Sequence, residues 1–570
     1  MFLTSRLDAQ HGGLTASLLR KAGVAARRLG IDPLVASFHD DAAFPQIAAE
    51  IQARYELPAA VRLANINHHY RTQPPAAETP PGREAIRQLC ADLPAYSLAH
   101  CRDAAGSPYA ATANAQGQPV RRFWLRPDGT VFQYRDLAAP GGAASQVVLH
   151  PLTAAERRFR TVDGFRRHFM DELCAPPITY LVGEARLLDN ALLGLENRWA
   201  RKIFVFHSIH IRPNSDVVRA GNRALLRNLA QADALVVLTP QQRADVAARF
   251  GFADRIHVIP HAIAPAAAPP MPPPASGPQA AEPAPAAAAP PMPPPASGPQ
   301  APEPAPAPAA PPLPPPASGP QAPEPRPAPA APAQRQPPPP APAGPPARPL
   351  ARPAGPAGGR QAGKVVVVSR LAPEKNLAAA IGAFQTVARA RPDARLEIWG
   401  EGPEAARLKH LVRDLELEPV VRFAGYTDNA SAVFRSAECS LLTSRWEGFP
   451  LTVLESMAAG TPCIAYDAKY GPAAMIESGV NGHLVPPGDQ DLLAQRVISF
   501  LGAPASAKRE MSSNAANAMA EFSEAALAER WSALFAALAK PKAARPPWHK
   551  RLWRRLPRRP REALARLLHL

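Results

Sequence analysis

One stretch divides this chain before any other feature is weighed. Between Pro265 and Pro356 lie about 40 of its 73 prolines and no Phe, Tyr or Trp. Proline fixes φ and removes a backbone donor, and a segment without apolar bulk has nothing to offset the entropy of ordering. The tetrapeptide Ser-Gly-Pro-Gln recurs at Ser276, Ser297 and Ser318, a period of 21 residues. The stretch reads as an extended, disordered linker leaning toward polyproline II. It is either a passive spacer or a ligand for a PxxP-binding protein. Packed cores must then form on either side of it. The expected boundaries are 1–263 for a first domain, 264–362 for the linker, 363–539 for a second domain with a closing helix, and 540–570 for a basic tail.

Both flanking blocks alternate between strand and helix. The first opens with a short strand at Phe2-Leu3, a loop ending Gly12-Gly13, a helix from about Leu14 to Leu29 and a strand at Leu34–Phe38. That is the opening of a doubly wound α/β domain. Arg122–Arg126 and Thr130–Tyr134 flank Pro127-Asp128-Gly129, a hairpin signal, so a β-rich insertion is expected over about 60–160. Apolar strands then follow at Lys202–Phe206, Ala234–Leu238 and Arg255–Ile259. In the second block Val365–Val368 is a continuous apolar run, the mark of a parallel strand covered on both faces. Further strands are expected at Leu396–Trp399, Val420–Phe423, Ser440–Thr443 and Cys463–Tyr466, with helices between them. The fold class is α/β: two Rossmann-like domains facing a cleft.

Composition narrows the function classes. The formal charge is +17 and the pI is near 10.1, which favours an anionic partner. Cys90, Cys101, Cys174, Cys439 and Cys463 have no metal-ligand spacing, and an odd number cannot all pair, so a reducing compartment is expected. The first residues have no signal-peptide pattern and no run approaches 18 apolar residues. The expected location is cytoplasmic. No recognition motif supports nucleic-acid binding.

The chemistry is concentrated at 445–460, Arg-Trp-Glu-Gly-Phe-Pro-Leu-Thr-Val-Leu-Glu-Ser-Met-Ala-Ala-Gly. Glu447 lies in the Gly448-Phe449-Pro450 loop and Glu455 eight positions on, inside the helix that loop starts. Pro450 suits the first helical position, and the free N–H groups of the helix start around Leu451 form an anion site. Carboxylates beside a phosphate site have a use if they accept hydrogen bonds from sugar hydroxyls; the alternative is an ordinary amphipathic helix with two solvated acids. Arg370 and Lys375 follow strand 365–368, where open α/β sheets bind ligands, and two cations there can hold a diphosphate. Gly12 and Gly13 allow backbone N–H groups close to a phosphate or sugar oxygen. His207 and His210 follow a buried strand; a hydrogen bond from His207 to a sugar hydroxyl or to the transition state is favoured over a metal site, since no third ligand has matching spacing. His68-His69 read as structural or surface residues. Asp489-Gln490-Asp491 reads as a helix N-cap at Asp489 rather than a metal motif.

Together these features resemble glycosyltransferase family 4. Residues 363–500 carry its pattern: Arg370, Glu374-Lys375, Gly400-Glu401-Gly402-Pro403, Phe423–Tyr426, Glu447–Pro450 and Glu455. Tyr426–Asn429 and Tyr466–Pro472 resemble a narrower group, the poly(glycerol-phosphate) α-glucosyltransferases and the accessory-secretion glycosyltransferases of serine-rich adhesins. Gly12–Thr15, the Asp128-Gly129 hairpin and His207–His210 are similar to that group's N-terminal half. The resemblance implies a GT-B fold and a retaining enzyme without a metal or other cofactor. It implies that Arg370, Lys375 and the backbone around Gly448, Phe449, Pro450 and Leu451 hold the diphosphate. Glu447 would contact the sugar, Glu455 the ribose, and Tyr426, Gly12 and Gly13 would complete the donor site. The donor is expected to be a nucleotide sugar, UDP-glucose, and the acceptor an anionic polymer or glycan of the cell envelope, such as a teichoic acid. The alternatives are a protein O-glycosyltransferase of the adhesin type and, in another class, an inactive membrane-binding scaffold. The Pro-rich insertion and the tail depart from the family pattern. Lys540–Leu570 holds eleven Lys or Arg and one Glu, with Trp548, Leu552, Trp553 and Leu556 on one helical face. It reads as a solvated tail, an arm for a polyanionic acceptor, or an interfacial helix giving peripheral attachment to the inner face of an anionic membrane.

Overall fold

In the computed structural model the described residues are 1–7, 13–39, 43–75, 80, 82–93, 96–102, 108–137, 146–212, 215, 217–263 and 359–539. The expected linker, but for its last few residues, and the whole of the basic tail lie outside them.

The first domain begins with β1 (Phe2–Thr4), β2 (Leu34–Ser37) and β3 (Arg62–Asn65). An antiparallel insertion follows: β4 (Ser97–Arg102), β5 (Pro108–Ala113), β6 (Pro119–Leu125), β7 (Val131–Asp136), β8 (Val147–Leu149) and β9 (Arg157–Phe159). The chain returns with β10 (Thr179–Gly183), β11 (Ala200–Val205), β12 (Ala234–Val237) and β13 (Ile256–Val258). The parallel sheet has the order β13-β12-β11-β10-β1-β2-β3, and the insertion forms its own sheet in sequential order β4 to β9. The insertion therefore starts later than the expected residue 60. Arg62–Asn65 pairs in parallel with Leu34–Ser37, and Asn65 caps the next helix through the N–H groups of Asn67 and His68.

The second domain contains β14 (Lys364–Val368), β15 (Arg395–Trp399), β16 (Val421–Gly425), β17 (Cys439–Leu442), β18 (Cys463–Tyr466) and β19 (Gly482–Val485). All six strands are parallel, in the order β16-β15-β14-β17-β18-β19. In both domains the strand order reverses beside the first strand, between β1 and β10 and between β14 and β17. Ligands of open α/β sheets bind in the crevice at such a switch point.

Val365 and Val366 are fully buried, as the apolar run requires. The core of the second domain gathers Val365, Leu396, Ile398, Phe384 and Ile464. The last described helix, Glu524–Leu538, leaves this domain altogether. Leu527, Ala528, Trp531 and Leu534 join the core of the first domain with Phe2, Leu18, Leu19 and Val35. Tyr180 Oη donates to Phe535 O at 2.8 Å and Arg201 Nε to Leu538 O at 2.9 Å, so the helix end is held by side chains of β10 and β11. Among the described residues no helix is long and apolar enough to cross a membrane.

Candidate active site

The second domain brings two loops together at its switch point. After β14 the chain turns through Ser369–Asn376, with a 3-10 turn at Pro373–Lys375 and Asn376 in the left-handed region at φ 50°. After β17 it runs through Thr443–Pro450 into the helix Leu451–Ala458. Lys375 Nζ donates to Glu447 Oε1 at 2.6 Å, and Ser444 Oγ donates to the same oxygen at 2.7 Å. Two further bonds tie the loops: backbone Arg445 N donates to Glu374 O at 2.9 Å, and the Thr443 Oγ1 hydroxyl donates to Lys375 O at 3.2 Å. Glu447 N also donates to Lys469 O at 3.0 Å, which ties the main chain at Glu447 to the loop after β18. The pair is largely buried, with side-chain exposures of 22% and 11%.

Arg370 stands apart. Its side chain is 75% exposed and donates to Glu374 at 2.6 Å. The loop carrying it packs against Gly400 and Gly402, both at positive φ, where a β-carbon would collide with backbone of Ser369 and Leu371. The glycines of Gly400-Glu401-Gly402-Pro403 thus bring two strand ends together, and Leu371 N donates to Glu401 O at 2.8 Å. Tyr426, just past β16, is 65% exposed. Pro450 occupies the N-cap position, one residue before the expected first helical position; Leu451 opens the helix and no side chain caps it. Glu455, on that helix, is half-buried. Burial raises its pKa, opposed by Arg20 of the first domain.

The first domain supplies the other wall. His207 follows β11, and Gly448 lies so close that a β-carbon there would be 2.6 Å from both His207 O and Ser208 Cα. Phe449 meets His261 edge-on with ring centroids 5.7 Å apart. Behind His207 lies Glu184, which follows β10; its Oε1 is salt-bridged to Lys21 and its Oε2 lies 3.1 Å from His207 Nε2. His207 stacks on His261 at 5.5 Å, and His261 Nδ1 lies 2.7 Å from Ser17 Oγ. Burial raises the Glu184 carboxyl, but Lys21 and His207 outweigh it and bring the group down to about 2. Burial pushes both imidazoles below their usual range.

The remaining candidates divide clearly. Gly13 opens the helix Gly13–Leu29, whereas Gly12 lies outside the described residues. His207 and His210 do not converge on one point: His210 is fully buried and stacks between Phe206 and Tyr470. No group of three or more His, Cys, Asp or Glu fit for a metal occurs among the described residues. Asp489 accepts from Leu492 N at 2.9 Å as an N-cap. Sequence reasoning did not single out Lys21, Glu184 or His261. The available signal was a charged residue directly after a buried strand, Val182-Gly183-Glu184, which marks the carboxyl edge of a sheet.

Two doubly wound domains whose carboxyl edges meet across one cleft define the GT-B class. Residues 360–518 match the family model described as glycosyl transferases group 1, so the chain carries a glycosyltransferase domain of that family. The poly(glycerol-phosphate) alpha-glucosyltransferase of Bacillus subtilis is 36% identical over 138 residues, which cover 24% of this chain and 20% of that protein. The matched part is therefore about a fifth of the relative's length. In structure the chain resembles a variant of TarM from S. aureus in complex with fondaparinux, alpha-GlcNAc-glycerol and UDP. The TM-score is 0.64 at 14% identity, with 94% of this chain and 99% of that one covered. It also resembles the pneumococcal O-GlcNAc transferase GtfA in complex with UDP and GlcNAc, with a TM-score of 0.56 at 14% identity, covering 95% and 99%. At these identities the likeness establishes the fold.

Proposed function

We propose that this protein is a retaining hexosyltransferase that moves a hexose, glucose in our reading, from a nucleoside-diphosphate sugar to a cell-envelope acceptor such as a poly(glycerol-phosphate) teichoic acid. The observation that carries the proposal is the Lys375–Glu447 pair, 2.6 Å apart at the switch point of the second sheet beside an uncapped helix start. A diphosphate entering there meets Lys375, the backbone N–H groups around Phe449–Leu451 and, once it leaves Glu374, the guanidinium of Arg370. These cations act in place of a divalent metal. Charge developing on the departing phosphate is then stabilised by fixed donors, an effect often worth about 10² to 10³ in rate per donor. Glu447 accepts from hydroxyls of the donor sugar, Glu455 from the ribose, and Tyr426 lies against the nucleoside. Gly12 and Gly13 are assigned to the sugar or phosphate through their backbone N–H groups, and His207 hydrogen-bonds the sugar.

The name of the Bacillus subtilis relative supports the teichoic acid acceptor and a glucose donor. A second reading, protein O-glycosylation of serine-rich adhesins with N-acetylglucosamine, is favoured by the likeness to pneumococcal GtfA. Incubation of the full chain with UDP-glucose, UDP-N-acetylglucosamine and UDP-galactose, each with poly(glycerol phosphate) or a serine-rich peptide, separates them. Release of UDP from UDP-glucose with an α-linked product on the polymer is expected. Transfer only to the peptide selects the second reading, and no release from any donor refutes both.

A further inference from the structure

At the switch point of the first sheet lies an ion pair to which the proposed roles give no task. Glu184 directly follows β10, and its side chain is completely inaccessible; Lys21, its partner, is 6% exposed. Lys21 comes from the helix Gly13–Leu29, so the pair joins the two strands between which the sheet order reverses. A buried ion pair is a poor source of stability, because desolvation of both charges offsets their attraction and apolar residues of equal volume often do as well. Its location beside His207 calls for another explanation. Glu184 Oε2 and His207 Nε2 are 3.1 Å apart, off the line of an ideal hydrogen bond, and neither atom has another partner among the described residues. His207 Nδ1 has none either; both ring nitrogens are themselves buried, while the side chain as a whole keeps 17% exposure, so a sugar hydroxyl reaches Nδ1 only as the cleft adjusts to the donor.

We infer that Lys21 and Glu184 are a positioning pair for His207: the carboxylate holds the Nε2–H tautomer and leaves Nδ1 as the acceptor for a hydroxyl of the bound sugar. The inference rests on the proposed glycosyl transfer for its consequence in rate, and on the geometry alone for the tautomer. In a neutral imidazole the nitrogen that faces a carboxylate carries the proton, so the other must accept. The charged and titratable groups facing the ring are Glu184, Lys21, Arg186 and His261. Gly448 presents only backbone to the backbone of His207 and Ser208. Burial, Lys21 and Arg186 keep the imidazole neutral, while Glu184 alone favours its charged form. Lys21 and Glu184 thus act on His207 with opposite signs.

Two measurements on the full chain test this. In protein labelled at the histidine nitrogens, the His207 resonances are assigned by their loss in His207→Ala. They are expected to show the Nε2–H form, and Glu184→Gln, whose amide can donate or accept, is expected to shift them toward a tautomer mixture. Finding Nδ1–H in the unsubstituted protein overturns the inference whether or not any sugar is transferred. In the UDP-release assay, Glu184→Gln is expected to lower kcat by about 10- to 100-fold, the usual effect of removing an orienting partner, with donor KM within threefold. Lys21→Met keeps the carboxylate and is expected to move the acid limb of the pH profile upward, whereas Glu184→Gln moves it downward. Shifts of the same sign, or a Glu184→Gln enzyme with normal kcat, overturn the inference while leaving the glycosyltransferase reading intact. Absence of UDP release from the unsubstituted protein overturns that reading instead.

Discussion

Replacing Gly448 by alanine tests whether the cleft depends on direct backbone contact between the domains. The new β-carbon would stand 2.6 Å from His207 O and Ser208 Cα, and 3.1 Å from His207 C. Ordinary carbon contacts begin near 3.5 Å, so the walls must part by roughly 0.8 Å or more. All three neighbours are backbone atoms, so no side-chain rotation relieves the contact. Overpacking of this kind costs about 1–3 kcal/mol. The strain falls between the domains and leaves both sheet cores untouched. Separation moves His207 away from Lys375 and Glu447, and misplacement by about 1 Å can cost about 10²-fold in rate. Gly448→Ala is therefore expected to lower UDP release at saturating donor by about 30-fold or more, with a melting temperature within a few degrees of the unsubstituted protein. Gly221→Ala is the control: its β-carbon meets only Arg186 Cβ, at 4.0 Å. A Gly448→Ala enzyme with turnover within threefold of normal would refute the reasoning, since the two walls would then be free to separate without consequence.

Further outcomes follow from the same geometry. Lys375→Ala and Glu447→Gln are each expected to lower turnover by about 10² or more with the fold retained, and near-normal turnover in either removes that residue from the mechanism. Glu184 is held at about 2, below its usual 4.5, so it contributes stability that is complete above 4.5 and is lost as pH falls toward 2. Between those limits the melting temperature of Glu184→Gln should depend less steeply on pH than that of the unsubstituted chain; equal slopes would contradict this assignment. Deletion of Pro269–Pro349 is expected to leave the melting temperature nearly unchanged, and a large drop would show that the segment packs on the domains. The chain should pellet with anionic liposomes at low salt and much less at high salt, whereas protein ending at Ala539 should stay in solution. Equal behaviour of the two forms removes the tail as an anchor.

Much of the second domain was legible because its strands are short apolar runs and its charged loops follow them directly. Val365–Val368 followed by Arg370 and Lys375 is such a case, and Ser440–Thr443 followed by Glu447 is another. β19 escaped notice because Gly482 and His483 interrupt its apolar character. In the first domain β10 was missed: it is short, begins just after Pro176-Pro177 and carries a threonine and a tyrosine before Leu181. Overlooking it concealed Glu184, since the residue's significance lies in being at the end of that strand. β3 fell inside the range expected for the insertion; it is only four residues long, Arg-Leu-Ala-Asn, and lies at the edge of the parallel sheet. Lys21 and His261 had no local signal at all. Their meaning arises only when Gly13–Leu29 and the segment after β13 pack beside His207, contacts that join residues 244 positions apart in the case of Ser17 and His261.

The helix Glu524–Leu538 has a consequence for how this chain can be cut and reassembled. It belongs by sequence to the second half, yet it buries Leu527, Trp531 and Leu534 in the first domain, and its terminal carbonyls accept hydrogen bonds from Tyr180 and Arg201. Burial of three such side chains is worth about 5–9 kcal/mol in apolar surface alone. The two halves are therefore clasped by contacts other than the peptide chain that joins them in sequence, and Ile263 N donates to Phe522 O at 2.9 Å just before this helix. Covalent continuity through 264–358 becomes dispensable for keeping the halves together. A protein produced as two separate polypeptides, one ending near Ile263 and the other starting near Gly359, carries its own means of reassociation. Because the clasp does not run through 264–358, a change in the length of that connection leaves these contacts in place.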